Sequence, residues 1–206
     1  MRTTISTIRH ARTRFGEERR YAGTIDAPLS PRGKREAKQA AAGLDGAAFD
    51  VVVTSTLVRT VDTARFLVGP SRRIVRCPHC NERNFGAMEG HTWEEVKRFR
   101  PRILFIKVGG DLHSVNPPGG EPFEQLWDRA KKFRGFLFRN YRGSNILVVS
   151  HGVFLQEFHG LLRGKSCIES LGEWVNNLEM ISFSFDGNRL VGERKVSLTG
   201  ARAPEF

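Results

Sequence analysis

The 206-residue sequence predicts an α/β fold: a single three-layer αβα domain over residues 1–206, mostly parallel in its sheet, with an antiparallel hairpin at one edge. Three observations carry that expectation. Short β-branched or wholly apolar runs recur at 3–9 (TTISTIR), 50–55 (DVVVTS) and 145–150 (NILVVS), as in strands buried on both faces. Segments with apolar residues at helical spacing lie between them. Near the end, LEMISFSF and RLVGERKV flank DGN, the pattern of a tight antiparallel turn.

The first strand runs into a polar loop, and SPRGKREAKQAAAGL follows. Here Ser30 is a good N-cap, Pro31 suits the first helical position, and Ala37, Ala40, Ala41 and Leu44 repeat at helical spacing. After the second strand, Leu57, Val61, Ala64 and Val68 mark one side of a helix. HTWEEV opens another, with Thr92 and Glu95 spaced as a capping box. The clearest helix is FEQLWDRAKKFRGFLFRNY, its stripe passing through Leu126, Ala130, Phe133, Leu137 and Tyr141. VFLQEFHGLL follows the third strand as a helix. Residues 97–122, rich in Gly and Pro, read as an irregular excursion on the one domain rather than a boundary.

Composition narrows the partners without naming one. The chain is 39% hydrophobic and 27% charged, an ordinary globular balance, and its net charge of +11 favours an anionic partner. The basic residues are spread along the chain, with no interleaved aromatics of a nucleic-acid-binding sheet, so no nucleic acid is expected. No apolar run is long enough for a membrane span, and the N-terminus reads without a secretory signal. Three unevenly placed cysteines fit a reducing cytoplasm better than a disulfide framework. Oligomeric state is left open.

In an open α/β sheet, ligands bind beyond the carboxyl ends of the strands. Three strands here end in reactive side chains: Arg9-His10, Ser55 with Arg59 one helical turn on, and Ser150-His151-Gly152. If those strands are neighbours, two histidines and two arginines converge. Neutral imidazole attacks phosphorus well, and guanidinium forks hold phosphoryl oxygens. Such a set suits phosphoryl transfer with no metal and no cofactor.

The same residues resemble the histidine phosphatase (phosphoglycerate mutase-like) superfamily. RHA at 9–11 and DAPLSPRG at 26–33 look like its opening Arg-His-Gly and Asp-x-Pro-Leu segments. STLVRTVDTA (55–64), NERNFGAMEG (81–90) and VVSHG (148–152) follow in family order, and GGEPFEQLWDR resembles a weaker block. The resemblance implies that His10 is a nucleophile that becomes phosphohistidine. Arg9, Arg59 and His151 complete the phosphate pocket, with Arg12, Gly16 and Gly152 beside them. Glu82 would be the acid that protonates the leaving oxygen, and Arg83 would reach the substrate. A carboxyl group partly buried beside an anion has the setting such an acid needs. The implied activity is hydrolysis of a small phosphate monoester. A cofactor-dependent phosphoglycerate mutase and a non-catalytic binder of a phosphorylated ligand remain as alternatives.

The departures from the family pattern are specific. Ala11 replaces a glycine, so its methyl group is expected to crowd the loop, and Arg12 is positive where the family often has Glu. Gly16 lacks the polar tip common there, and Val153 with Phe154 is expected to give a more apolar wall. KRFRPR (97–102) reads first as a solvated basic helix end; the resemblance implies a segment covering the site there, in which Lys97, Arg98, Arg100 or Arg102 would meet a second negative group on the substrate. CPHC (77–80) is one CxxC without further metal ligands, and reads as two ordinary cysteines near a short strand. His79, His91, His113 and His159 have no partners in sequence.

Overall fold

The computed structural model describes residues 1–44 and 47–198; the C-terminal end of the expected unit lies outside them. The chain begins with β1 (Arg2–Arg9), followed by a one-turn helix α1 (Arg14–Glu17) within the expected loop. Helix α2 (Pro31–Ala41) has Pro31 at its start, and the Ser30 hydroxyl accepts from Gly33 N–H. Then come β2 (Val51–Thr54), α3 (Val58–Val68) and the short β3 (Ile74–Arg76). The Thr92–Glu95 capping box opens α4 (Trp93–Val96) as the spacing requires. The excursion is more regular than expected: it folds back on itself as β4 (Phe105–Val108) and β5 (Asp111–Ser114).

The rest follows the sequence closely. Helix α5 (Phe123–Asn140) leads to β6 (Asn145–Ser150), then α6 (Gly152–Leu162) and a one-turn α7 (Cys167–Ser170). Strands β7 (Glu179–Asp186) and β8 (Arg189–Ser197) form the hairpin; Gly187, at its tip, has φ +59°. A left-handed conformation is what a two-residue hairpin loop needs, and glycine adopts it freely.

The six-stranded sheet has the order β3-β2-β6-β1-β7-β8. The first four are parallel to one another, while β7 and β8 run antiparallel at the other edge. Residue parity splits the sheet between two cores. Val53, Ile146, Val148 and Ile5 pack under α5 and α6, whereas Val52, Leu147, Val149 and Ile8 pack under α2 and α3. That is the three-layer arrangement the sequence predicts, with a helix layer on each face. On α5, Leu126, Phe133 and Leu137 are fully buried, worth roughly 2 kcal/mol each. Together they outweigh the roughly 1 kcal/mol forgone at its N-terminus, where Pro122 gives no side-chain cap.

The topology has one consequence for chemistry. Because β6 inserts between β2 and β1, the carboxyl ends of all three point to the same edge. There Arg9 pairs with Ser150, and the next residues of each strand are His10 and His151.

Candidate active site

His10 leaves β1 with its N–H still donating to Ser150 O (2.9 Å). Its Nδ1 lies 2.7 Å from Ala11 O. A carbonyl only accepts, so Nδ1 carries the proton and Nε2 keeps its lone pair. Burial, then the Arg59 and Arg9 charges, hold the imidazole well below the usual histidine range, so the ring is neutral. Asn177 Nδ2 donates to His10 O at 2.6 Å and anchors the same turn from the far side.

His151 lies edge-on to His10, with ring centroids 5.1 Å apart. Its tautomer is set by its neighbours. Arg59 Nε donates to Nδ1 (3.2 Å), so Nε2 bears the hydrogen and donates to Ser55 Oγ (2.8 Å). Ser55 in turn meets Thr60 Oγ1 at 2.8 Å, and Thr60 donates to Leu57 O at 2.9 Å. The STLVRT segment is therefore a hydrogen-bonded relay that orients His151. Burial and the Arg59 charge hold this second imidazole low as well. His151 is fully buried, bonded to Arg59 and beside His10, and is not among the residues that line the cavity.

Two guanidinium groups face the same space. Arg59 comes from the first turn of α3 and is 1% exposed; its Nη1 and Nη2 donate to Ile25 O and Gly23 O, each at 2.7 Å. Arg9 donates Nη1 to Val175 O (2.8 Å) and lies over the Trp174 ring, 5.4 Å from its centre. Arg9 Nε is buried without a protein partner among the described residues. Of the five N–H donors a guanidinium carries, Arg9 thus keeps most for a ligand. Gly152 is the residue that lets Arg9 lie where it does, since a Cβ there would stand 3.1 Å from Arg9 Cζ.

Glu82 lies across the cavity. Its carboxylate accepts N–H groups from Arg83 (2.9 Å), Phe154 (3.0 Å) and Val153 (3.4 Å), the last two in the first turn of α6. Arg129 holds the backbone beneath it, donating to Asn81 O and Glu82 O and forming a two-point pair with Glu121. Glu121 and Arg129 of GGEPFEQLWDR thus serve to fix the turn that carries Glu82.

Arg9, His10, Arg59 and Glu82 line one cavity of about 320 Å³, together with Arg12, Gly16, Arg83 and Gly152. Arg83 is 1% exposed, stacked 3.7 Å from the Phe123 ring and donating to Glu121 O and Ser114 O. Arg12 reaches Glu36 at 3.3 Å, and Gly16 donates its N–H to Thr13 Oγ1. Two further segments that no motif announced line the cavity: Asp111–Ser114 of the hairpin, and Trp174–Asn177 before β7, which also touches Arg9 and His10. Neither carries a recognisable signature in the sequence, and only long-range placement brings them to the cavity.

Several expectations change here. Lys97, Arg98, Arg100 and Arg102 do not line the cavity; Lys97 pairs with Glu94 and Arg100 turns to backbone carbonyls. His113, without a partner in sequence, lines it. Ala11 is fully buried in the core under α2, its N–H donating to Thr63 Oγ1, so its methyl group does not crowd the loop. Val153 forms part of the wall, but Phe154 turns into the core against Phe133 and Phe158. Among the described residues no cluster of side chains suits a metal ion, and no helix is long and apolar enough to cross a membrane.

Comparison with known proteins agrees with this geometry. The chain is 33% identical over 142 residues to the fructose-2,6-bisphosphatase TIGAR of Xenopus laevis, covering 66% of the chain and 50% of that protein. It thus spans about half the length of that relative. It is 32% identical over 158 residues to a 2,3-bisphosphoglycerate-dependent phosphoglycerate mutase of Rhizobium etli, covering 73% of the chain and 75% of the mutase. The alpha-ribazole phosphatase of Shigella flexneri superposes with a TM-score of 0.83 at 23% identity, over 100% of both chains, which shows the phosphoglycerate mutase-like fold. The family model described as histidine phosphatase superfamily (branch 1) matches residues 5–195, and the chain belongs to that superfamily.

Proposed function

We propose that the protein hydrolyses a small phosphate monoester through a phosphohistidine on His10, without a metal or cofactor. The observation that carries this reading is the tautomer of His10: its proton is fixed on Nδ1 by Ala11 O, which leaves Nε2 as a neutral nucleophile between Arg9 and Arg59.

The steps follow from the residues. Arg9 and Arg59 take the phosphoryl oxygens and hold the ester in line with His10. The Nε2 lone pair forms the N–P bond as the ester P–O bond breaks, and Glu82 gives its proton to the departing alkoxide. Water then attacks phosphorus, Glu82 takes its proton, and the N–P bond breaks to release inorganic phosphate. His151 touches neither bond; through Nδ1 it holds Arg59, and edge-on it steadies His10. Trigonal phosphoryl charge is thereby met by donors already in place, the arrangement that costs least reorganisation.

A mutase reading draws support from the similarity to the Rhizobium etli enzyme. Hydrolysis is favoured because the cations at 97–102 lie outside the cavity and the same excursion contributes Asp111, while Arg12, Arg20 and Arg83 in the lining are already tied to Glu36, to Glu18 and to the carbonyls of Glu121 and Ser114. Isotope-labelled substrate separates the two: label appears in free phosphate on hydrolysis and in a rearranged ester on mutation.

The assignment is tested by His10→Ala and Glu82→Gln. The first is expected to abolish turnover of an aryl phosphate with the fold retained; unchanged turnover removes the nucleophile. The second is expected to slow alkyl phosphates about 100-fold and aryl phosphates far less, because an aryl oxide leaves without an acid. Equal losses remove Glu82 from the acid role.

A further inference from the structure

The CPHC segment, bland in the sequence, is joined to the site in the structure. Cys77 follows the edge strand β3, with its N–H bonded to Thr54 O at 2.8 Å. Pro78–Cys80 then forms a single 3-10 turn, closed by Cys80 N–H donating to Cys77 O (3.2 Å). Such a closed four-residue turn brings the two Cα atoms within about 7 Å, inside or at the edge of the roughly 4.4–6.8 Å span that a disulfide bridges. Both thiols are free, and Cys80 Sγ reaches back to Cys77 O at 3.2 Å.

The turn also leads directly to Glu82. Cys80 O accepts from the hydroxyl of Ser150, the residue before His151, at 2.7 Å. His79 O and Asn81 O accept from Arg129, and Asn81 Oδ1 accepts from Thr56 N–H. Any shift of Cys80 is therefore passed to the backbone of Glu82 and to the end of β6.

We propose that Cys77 and Cys80 are a thiol modification site: a peroxide converts them to a disulfide that displaces the turn carrying Glu82 and slows phosphoryl transfer. The link to rate rests on the acid role given to Glu82 above; the disulfide itself does not.

The chemistry balances with hydrogen peroxide as the named oxidant. The Cys77 thiolate attacks a peroxide oxygen, the O–O bond breaks, and hydroxide leaves to become water. The sulfenic acid formed is attacked by the Cys80 sulfur; the S–S bond forms, the S–O bond breaks, and a second water leaves with the Cys80 proton. Two thiols have lost two electrons and one peroxide has gained them.

The pair is asymmetric in the way this sequence of steps requires. The Cys80 thiol, followed by nearby backbone N–H groups, draws the Cys77 thiol down to about 7 against the opposing effect of burial. Burial, then Cys77, pushes Cys80 well up, so it stays protonated until it resolves. Cys77 is 4% exposed and packs with Cys80 into the core under α5 and α6, between exposed Arg76 and Pro78 at the edge of the sheet, so peroxide reaches it as that three-residue edge strand opens locally.

The experiment treats the full chain with hydrogen peroxide and follows thiol titre, intact mass and turnover of alkyl and aryl phosphates. Expected are a species about 2 Da lighter with a Cys77–Cys80 bond, and a loss of alkyl phosphate turnover several-fold greater than the loss on aryl phosphate. Dithiothreitol restores both. Cys167→Ser keeps the whole response, while Cys77→Ser and Cys80→Ser, checked for fold by circular dichroism, form no such bond and keep their untreated rate ratio. Persistence of both thiols overturns the site. A disulfide that forms without changing either rate overturns the control of activity. An equal loss on both esters, with the bond formed, separates the site from the acid role of Glu82 and overturns the coupling proposed here.

Discussion

Gly152→Ala sets two effects of opposite sign against each other. Gly152 begins α6, directly after His151, and its missing Cβ makes room for the Arg9 guanidinium. An added Cβ would stand 3.1 Å from Arg9 Cζ, 3.3 Å from Nε and 3.4 Å from Nη1. Comfortable carbon contacts begin at roughly 3.5 Å, so the guanidinium must retreat by about half an ångström. It has little freedom to do so, because Val175 O holds Nη1 and Trp174 covers the face. A misplacement of about 1 Å costs roughly 100-fold in rate, so half of that is worth about tenfold in kcat/KM. Alanine meanwhile favours the helix over glycine by up to about 1 kcal/mol, less at a terminal position. The expected result is an enzyme about tenfold slower on aryl phosphate with an unchanged or slightly higher Tm. Steady-state kinetics and a thermal melt measure the two together. Wild-type kcat/KM would refute the claim that Arg9 is held in register by this contact, and a large fall in Tm would show that the loss is structural instead.

Asn177→Ala removes the amide that holds His10 O at 2.6 Å, and is expected to lower kcat about tenfold while KM changes little, read from full saturation curves. Arg129→Met breaks a largely buried pair with Glu121 and frees three backbone carbonyls, so a urea melt should show a loss of about 3 kcal/mol. Acid sensitivity follows from the buried imidazoles. His10, His151 and His159 all titrate below the free value near 6.5, His159 at about 3, chiefly through burial. Between those values the unfolded chain binds more protons, so their contribution to stability is complete above about pH 6.5 and is lost as pH falls toward the folded values. Urea midpoints from pH 7 to pH 4 should therefore decline, and His159→Gln should flatten that slope by about one proton; an unchanged slope would refute it.

The parts of the site that the sequence disclosed are those where a reactive side chain and its support are close in the chain. Arg9 and His10 end a strand, Arg59 sits one turn into the next helix, and Ser55 and His151 stand at the ends of theirs; the relay that joins them through Thr60 is seen only in the structure. Capping was legible for the same reason: Ser30 over Gly33 and Thr92 over Glu95 are separated by three residues. What stayed hidden depends on distant partners. Asn177 meets His10 across 167 positions, and Val175 meets Arg9 across 166. The hairpin β4–β5 was missed because its strands are short and bracketed by Gly and Pro, which dominate the local signal. Side-chain direction was the other gap: Phe154 looked like a wall residue from its place after His151, yet the turn of α6 sends it to Phe133.

Those placements decide where this chain differs from its relatives. Ala11 and Arg12 are the evident departures in the signature, but neither changes the atoms around His10. Ala11 is absorbed by the core and tied to Thr63, and Arg12 is neutralised by Glu36. Under the proposed function, Arg9, His10 and Arg59 make the phosphate end of the cavity. Under that reading, differences in substrate arise beyond the phosphate, from Asp111, Leu112 and His113 on the hairpin and from Trp174, which also covers Arg9. Leu112 and Trp174 are half exposed at the cavity rim, at 52% and 43%, and so lose apolar surface to any leaving group that covers them. Covering such surface is worth about 25 cal/mol per Å², enough to rank esters of equal phosphate chemistry. Leu112→Ala should accordingly reorder a panel of alkyl phosphates by kcat/KM while leaving inorganic phosphate inhibition unchanged, whereas Trp174→Ala also uncovers Arg9 and should weaken that inhibition. A uniform loss across the panel would return the source of selectivity to the phosphate end.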